Sequence, residues 1–314
     1  MINSRQLGKT GLQVSPLGIG TWAWGDKLVW GYGDRYGQSD VEDAFRAAVD
    51  AGITFFDTAE DYGNGESERL LGGFCKKTST PVQIASKFGP TPWRFSKSFV
   101  QDALKASLDR LQLETIDLYQ VHWPISFLLS QEALLETLAE SVQKGLIRTV
   151  GVSNYNTEQM QKAHDILARF DVPLAVNQMR YSLITRQIEK QGLLARSRQL
   201  GVTILAYSPL AQGLLTGKYT PENRPQGARS FNSRFKTKGL EALTPVLSTL
   251  RQCAEAHDKT LGQVALNWLM NQEGIIPIPG AKNAKQAQEN AGAMGWSLTT
   301  QEIEALEIVS RPWM

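Results

Sequence analysis

Short apolar runs alternate with amphipathic stretches along nearly the whole chain. Runs rich in β-branched and aromatic residues fall at 53–56, 82–86, 116–121, 146–152, 174–177, 202–206 and 275–278, with an earlier one at 17–21. Each is almost continuous in apolar character, which suits a parallel strand covered on both faces better than an alternating antiparallel one. Between them the apolar period changes to that of a helix, as in Val41, Phe45 and Ala48, then Leu104, Leu108 and Leu111, then Leu134, Leu138 and Val142. Start signals precede these helices: Ser39 with Glu42, Ser98 with Gln101, Ser130, Thr157, and Thr299 with Glu302.

Successive strands recur at roughly 25 to 35 residues, the size of one βα unit. Eight such units predict a closed (β/α)8 TIM barrel with extended loops at its C-terminal face, one domain spanning 1–314. A doubly wound sheet is the competing architecture. It would carry a GxGxxG turn after the first strand, and the GTWAWG at 20–25 lacks that spacing. The segment 208–239 breaks the beat, being rich in Gly, Pro, Arg and Lys, and reads either as a solvated insertion or as a flap over a ligand. The last residues, 310–314, could also approach the barrel rim.

Composition narrows the function classes. Hydrophobic residues form 42% of the 314, enough for a large core, so global disorder is excluded. Charge nearly balances, 33 basic against 31 acidic residues, which gives no basic surface for nucleic acid. Cys75 and Cys253 are too few for a disulfide scaffold, and His122, His164 and His257 form no zinc motif, so no metal is expected. No 18-residue apolar segment predicts a membrane span, and the polar N-terminus does not read as a secretory signal. The expected address is the cytoplasm; no oligomerisation code is visible.

Polar residues gather at the strand ends. Asp57 follows ITFF, with Tyr62 five residues later; Lys87 follows VQIAS; His122 follows IDLYQV; Ser153 and Asn154 follow TVGV; Gln178 follows LAVN; Tyr207 and Ser208 follow VTILA. A barrel brings all of them to one face, where its active sites are built. Singly, each has a plain structural explanation: a turn cap, a surface charge, a half-buried ring. Together they suit carbonyl chemistry. A phenol can protonate a developing alkoxide, a neighbouring ammonium should lower the pKa of that phenol, a carboxylate can hold the ammonium, and an imidazole can donate to the carbonyl oxygen.

At this point the chain resembles the aldo-keto reductase family over nearly its full length. The resemblance is carried by FFDTAEDYGNGESERLLG around Asp57 and Tyr62, IASKF with Lys87, DLYQVHWP with His122, then GVSNY, NQMRYSL, YSPLAQGLLTGKY and IPIPGAKNAKQAQEN. It implies an NADPH-dependent reductase of aldehydes or ketones, reversible with NADP, with direct hydride transfer. Tyr62 is then the proton donor, Asp57 and Lys87 tune it, and His122 belongs to the oxyanion pocket. It further implies that Ser153, Asn154 and Gln178 hold the nicotinamide carboxamide and that Tyr207 stacks on the ring. Ser208, Leu210, Gly213 and Lys218 would wrap the pyrophosphate. Gly280, Lys282, Gln286 and Asn290 would meet the adenosine end, with Lys282 reading the 2′-phosphate. Gln286 departs from the arginine of some branches.

Trp22 and Trp123 match pocket positions and would wall a small-molecule carbonyl substrate; Trp24, Trp30 and Trp93 could add to the rim. No residue selects among aliphatic aldehydes, aromatic aldehydes, dicarbonyls or a vitamin-like aldehyde such as pyridoxal. Two other readings stay open: an NADPH-binding regulatory subunit resembling the β subunits of potassium channels, and a phosphate-handling barrel lyase or isomerase. The second leaves the Tyr62, Lys87 and His122 set unexplained.

Overall fold

A computed structural model describes residues 4–125, 127–225 and 232–314. Its first two strands, β1 (Arg5–Gln6) and β2 (Gln13–Val14), form an antiparallel hairpin. Eight parallel strands follow: β3 (Gly18–Gly20), β4 (Phe55–Asp57), β5 (Gln83–Phe88), β6 (Ile116–Val121), β7 (Ile147–Ser153), β8 (Leu174–Arg180), β9 (Thr203–Tyr207) and β10 (Ile275–Ile278). They pair in sequence order. The ring closes through a parallel bridge between Gly20 and Gly280, beside which the Gly20 amide donates to the Pro279 carbonyl at 3.0 Å. The TIM barrel read from the strand spacing is present.

Alternation along each strand separates two apolar layers. Outward side chains such as Phe56, Ile84, Tyr119, Val150 and Ile204 pack under the helices. Inward ones, including Phe55, Ala85, Leu118, Val176, Leu205, Ile276 and Ile278, fill the barrel together with Leu7 and Val14 from the hairpin. Gly151 sits where a Cβ would come within 2.5 Å of Val176 Cγ2 and 2.9 Å of Gln120 Cγ, so its missing side chain makes room for both.

The strands run further than their apolar runs. Lys87, Ser153, Gln178 and Tyr207 lie within β5, β7, β8 and β9 rather than after them. Their polar ends satisfy one another inside the barrel, so a polar residue does not end the strand there. Three helix starts also differ. Gly37 precedes the helix Gln38–Asp50, and the Asp40 carboxylate accepts from its amide at 2.8 Å in place of a Ser39 cap. Ser96 rather than Ser98 precedes Lys97–Leu111, and Asn156 rather than Thr157 caps Thr157–Ala168 through a reciprocal pair with Gln159. Ser130 and Thr299 cap as expected.

Within 208–239, residues 226–231 fall outside the described residues. The rest is anchored: Ala211–Thr216 forms a 3₁₀ turn, and buried Phe235 meets Tyr219 edge-on at 5.2 Å. The C-terminal Trp313 lies under the Arg234 guanidinium, 5.6 Å from its ring centre, and its carbonyl accepts from the Arg186 amide. No described helix is long and apolar enough to cross a membrane.

Candidate active site

Inward positions at the C-terminal ends of neighbouring strands supply the polar cluster. Register places Gly20 beside Asp57, Lys87 beside Gln120, and Ser153 beside Gln178. Lys87 is fully buried, and its Nζ donates to Asp57 Oδ2 at 2.6 Å, the Thr58 carbonyl at 2.8 Å and Tyr62 Oη at 3.2 Å. An ammonium has three protons and no acceptor, so these three partners use all of them. Asp57 is equally complete: its Oδ1 accepts from Gln120 at 3.0 Å and from Gln178 at 2.8 Å. A buried ion pair is tolerated when its remaining donors and acceptors are satisfied in this way.

Tyr62 reaches the cluster from a 3₁₀ turn, Tyr62–Gly65, that bends through left-handed Gly63 and Asn64. A Cβ at Gly63 would come within 2.6 Å of the Gly25 carbonyl, so glycine is required for the turn to seat there. Burial pushes the Tyr62 phenol up to about 12, although the Lys87 charge and hydrogen bond pull the other way. The expected lowering by Lys87 is therefore real in sign and smaller than the effect of desolvation. Lys87 itself is raised: burial opposes its charge, and Asp57 and Tyr62 outweigh burial.

The His122 ring lies edge-on to Tyr62, 5.8 Å between centres, and stacks on Trp123 at 5.3 Å. Trp22 stands 6.4 Å from the Tyr62 ring, tilted 33° to it. Both tryptophans are partly exposed, 40% for Trp22 and 42% for Trp123, so they stand at the surface rather than in the core. Trp24 is different. It is fully buried, and its indole donates to the Ala281 carbonyl at 2.7 Å, so it belongs to the core and not to the rim. Trp93 is 67% exposed, while Trp30 meets Trp22 edge-on at 5.5 Å.

The predicted nicotinamide set forms one chain of contacts. Tyr207 Oη donates to Asn154 Oδ1 at 3.0 Å, Asn154 Nδ2 donates to Ser153 Oγ at 2.9 Å, and Ser153 Oγ donates to the Gln178 carbonyl at 3.1 Å. Gln178 spends its amide nitrogen on Asp57, so its side-chain oxygen is what it can offer a ligand. Non-glycine residues take left-handed backbone at Asn154, Ser208, Ala211 and Gln212, followed by Gly213. Such strain, concentrated after β7 and β9, is a feature of ligand-holding loops. Lys218 packs over Tyr219, 5.1 Å from its ring centre.

The last set lies after β10. Gln286 accepts from the Lys282 amide at 2.9 Å, and buried Asn290 donates to the Gly280 carbonyl at 3.2 Å, so both hold this turn in shape. Lys282 Nζ lies 4.5 Å from the Trp30 ring centre and 4.9 Å from that of Tyr36, between two rings of the loop after β3.

Sequence reasoning missed Gln120, whose signal is its place in β6 two residues before His122, which follows the strand. It also missed the hydroxyls behind Asp57, where Ser67 Oγ lies 2.7 Å from Thr21 Oγ1 and 2.8 Å from Thr58 Oγ1.

This arrangement can be compared with known proteins. The model of the aldo/keto reductase family matches residues 16–311. The chain belongs to the aldo/keto reductase family. It is 41% identical to the chloroplastic pyridoxal reductase of Arabidopsis thaliana over 312 residues, covering 96% of this chain and 84% of the relative. Among solved structures, the glycerol dehydrogenase of Gluconobacter oxydans superposes with a TM-score of 0.85 at 29% identity, covering 98% of this chain and 94% of that one. An aldo-keto reductase of Klebsiella pneumoniae in complex with NADPH gives 0.76 at 27% identity, covering 98% and 95%.

Proposed function

We propose that the chain reduces aldehydes or ketones to alcohols with NADPH, using Tyr62 as the proton donor. The observation that carries this reading is the buried Lys87 ammonium held at once by Asp57 and Tyr62, with His122 across the phenol. Because Lys87 donates to Tyr62 Oη, the phenol's own hydrogen is free to go to a substrate oxygen. The residues present fit the cofactor. Asn154, Ser153, Gln178 and Tyr207 would hold its nicotinamide end, the loop of Ser208, Leu210 and Gly213 with Lys218 its pyrophosphate, and Gly280, Lys282, Gln286 and Asn290 its adenosine end. When bound, the reduced nicotinamide supplies a hydride to the carbonyl carbon. Tyr62 then protonates the oxygen, Asp57 and Lys87 keep the phenol in place, and Trp22 and Trp123 flank the substrate.

The likeness to a pyridoxal reductase puts pyridoxal first among substrates to try. The test follows NADPH oxidation across a panel of aldehydes and ketones. Tyr62→Phe keeps the ring and removes the acid, so turnover is expected to fall by about 10²–10⁴-fold while NADPH still binds. Turnover of the variant at the wild-type rate would remove Tyr62 from this role. NADPH binding with no turnover by the wild type would favour the regulatory-subunit reading.

A further inference from the structure

Two half-buried arginines near the mouth have no acidic partner among the described residues. Arg180 is the last residue of β8, two positions beyond Gln178 and so on the same inward face, and register sets it beside Tyr207 on β9. Arg234 belongs to the turn Ser233–Phe235 of the 208–239 segment. It reaches the chain just past β8: one guanidinium nitrogen donates to Thr185 Oγ1 at 2.9 Å, and its Cζ stands over the Trp313 ring. The Arg180 side chain makes no hydrogen bond or ion pair to the described residues.

Their charges interact. Burial and the Arg180 charge both push the Arg234 guanidinium down, and the same Arg180 charge pulls against the burial that raises the Tyr207 phenol. Two like charges drawn partly out of water are costly unless an anion joins them. Elsewhere the chain supplies that anion itself. The partly buried guanidinium of Arg94 donates to Glu60 at 3.0 Å, that of Arg110 to Glu68 at 2.6 Å, and that of Arg186 to Glu189 at 2.7 Å. Beside Arg180 and Arg234 the place of the acid is left to a ligand, and guanidinium donors match the oxygens of carboxylates and phosphates.

We infer that Arg180 and Arg234 bind an anionic group of the substrate, a carboxylate or a phosphate remote from the reacting carbonyl. The site then favours acidic aldehydes over their uncharged counterparts. This deepens the reductase reading and rests on it for its kinetic arm alone, because anion binding can be read without turnover.

The kinetic arm compares 4-carboxybenzaldehyde with its methyl ester, and 4-formylphenyl phosphate with 4-methoxybenzaldehyde. Arg180→Gln should lower the charged-to-uncharged ratio of kcat/KM by about 10- to 100-fold, the worth of a charged hydrogen bond. The change should fall on KM, since an anion far from the reacting carbon is held equally in ground and transition states. Arg234→Lys keeps the charge and should keep more of the ratio than Arg234→Met. The pair with the larger drop identifies the anion as carboxylate or phosphate. The binding arm titrates benzoate and phenyl phosphate into the protein with NADP present, so that the cofactor's own phosphate contacts are filled. Affinity for the preferred anion should fall in Arg180→Gln by a similar factor. A ratio and an affinity unchanged by Arg180→Gln overturn the inference, as does a raised KM for NADPH in their place, which would give the arginine to the cofactor. Reduction of no carbonyl by wild type overturns the reductase reading, while the titration still decides whether the two arginines hold an anion.

Discussion

An ammonium group carries three protons, and inside this barrel each one has its own acceptor. Lys87 is fixed by that count as the charged partner of both Asp57 and Tyr62. Its effect on Tyr62 gives a pH dependence whose sign can be worked out. Burial pushes the phenol up to about 12, outweighing the opposite pull of Lys87. On the proposed mechanism reduction needs a protonated Tyr62, and burial keeps it so throughout the neutral range; this group then adds no slope there. In the direction of alcohol oxidation it must be the phenolate, so the rate should climb about tenfold per pH unit between about pH 7 and 10 where proton removal limits turnover. Lys87→Met removes the charge that favours phenolate. Its oxidation rate should lie below wild type at every pH, and the loss of one partner from a buried pair should cost about 3–5 kcal/mol of stability. Initial rates of NADP reduction against pH, with a denaturant melt of each protein, check both. A Met variant with the wild-type oxidation profile would detach Lys87 from Tyr62.

Elements set which of these residues could be read from sequence. Each of the eight barrel strands announced itself by a short apolar run, because helices cover its outer face and side chains fill its inner one. Strand ends were harder: an inward polar residue such as Lys87 or Gln178 looks like the start of a loop until its partner on the next strand is known. The β1–β2 hairpin left no periodic trace, since two residues per strand cannot show alternation. Asp57, Tyr62, Lys87 and His122 could be picked out through their spacing and the family resemblance, whereas Gln120 emerges only from its contact with Asp57. The turn after β10 shows the same limit. Sequence assigned Lys282 to a phosphate, and the structure adds that Trp30 and Tyr36 flank its ammonium. Rings that hold this cation near the turn would favour its meeting a bound phosphate at little ordering cost. Lys282→Ala should therefore raise KM for NADPH by about 10- to 100-fold, the worth of a charged hydrogen bond, while leaving KM for NADH and kcat little changed. Comparison of the two cofactors in steady-state kinetics measures this. Retention of the full NADPH preference would move the 2′-phosphate contact to another residue.

At the scale of the whole molecule the barrel separates an apolar end from a polar one along its axis. The C-terminal mouth carries charged and strained groups, whereas the opposite end is closed by a plug. Leu7 and Val14 enter the inner apolar layer with Phe55, Leu118, Leu205 and Ile276. The Gly8 amide donates to Thr203 Oγ1 at 2.9 Å, and the Arg5 guanidinium donates to the Ile275 carbonyl at 2.8 Å and to that of Met270. The hairpin thus ties β9 and β10 to the first residues of the chain, below strands whose far ends hold Asp57 and Lys87. Leu7 is wholly buried, so Leu7→Ala removes apolar contact and leaves a cavity, at a cost of about 2–5 kcal/mol. The hydrogen bonds that join Asp57, Lys87, Gln120 and Gln178 lie at the other ends of the strands and do not include the plug. The variant should unfold at lower denaturant concentration than wild type, while its kcat/KM for carbonyl reduction, measured well below its melting temperature, stays within about twofold. A loss of turnover as large as that of Tyr62→Phe, in a variant that still melts cooperatively, would show that the plug sets the geometry of the mouth through the strands between them.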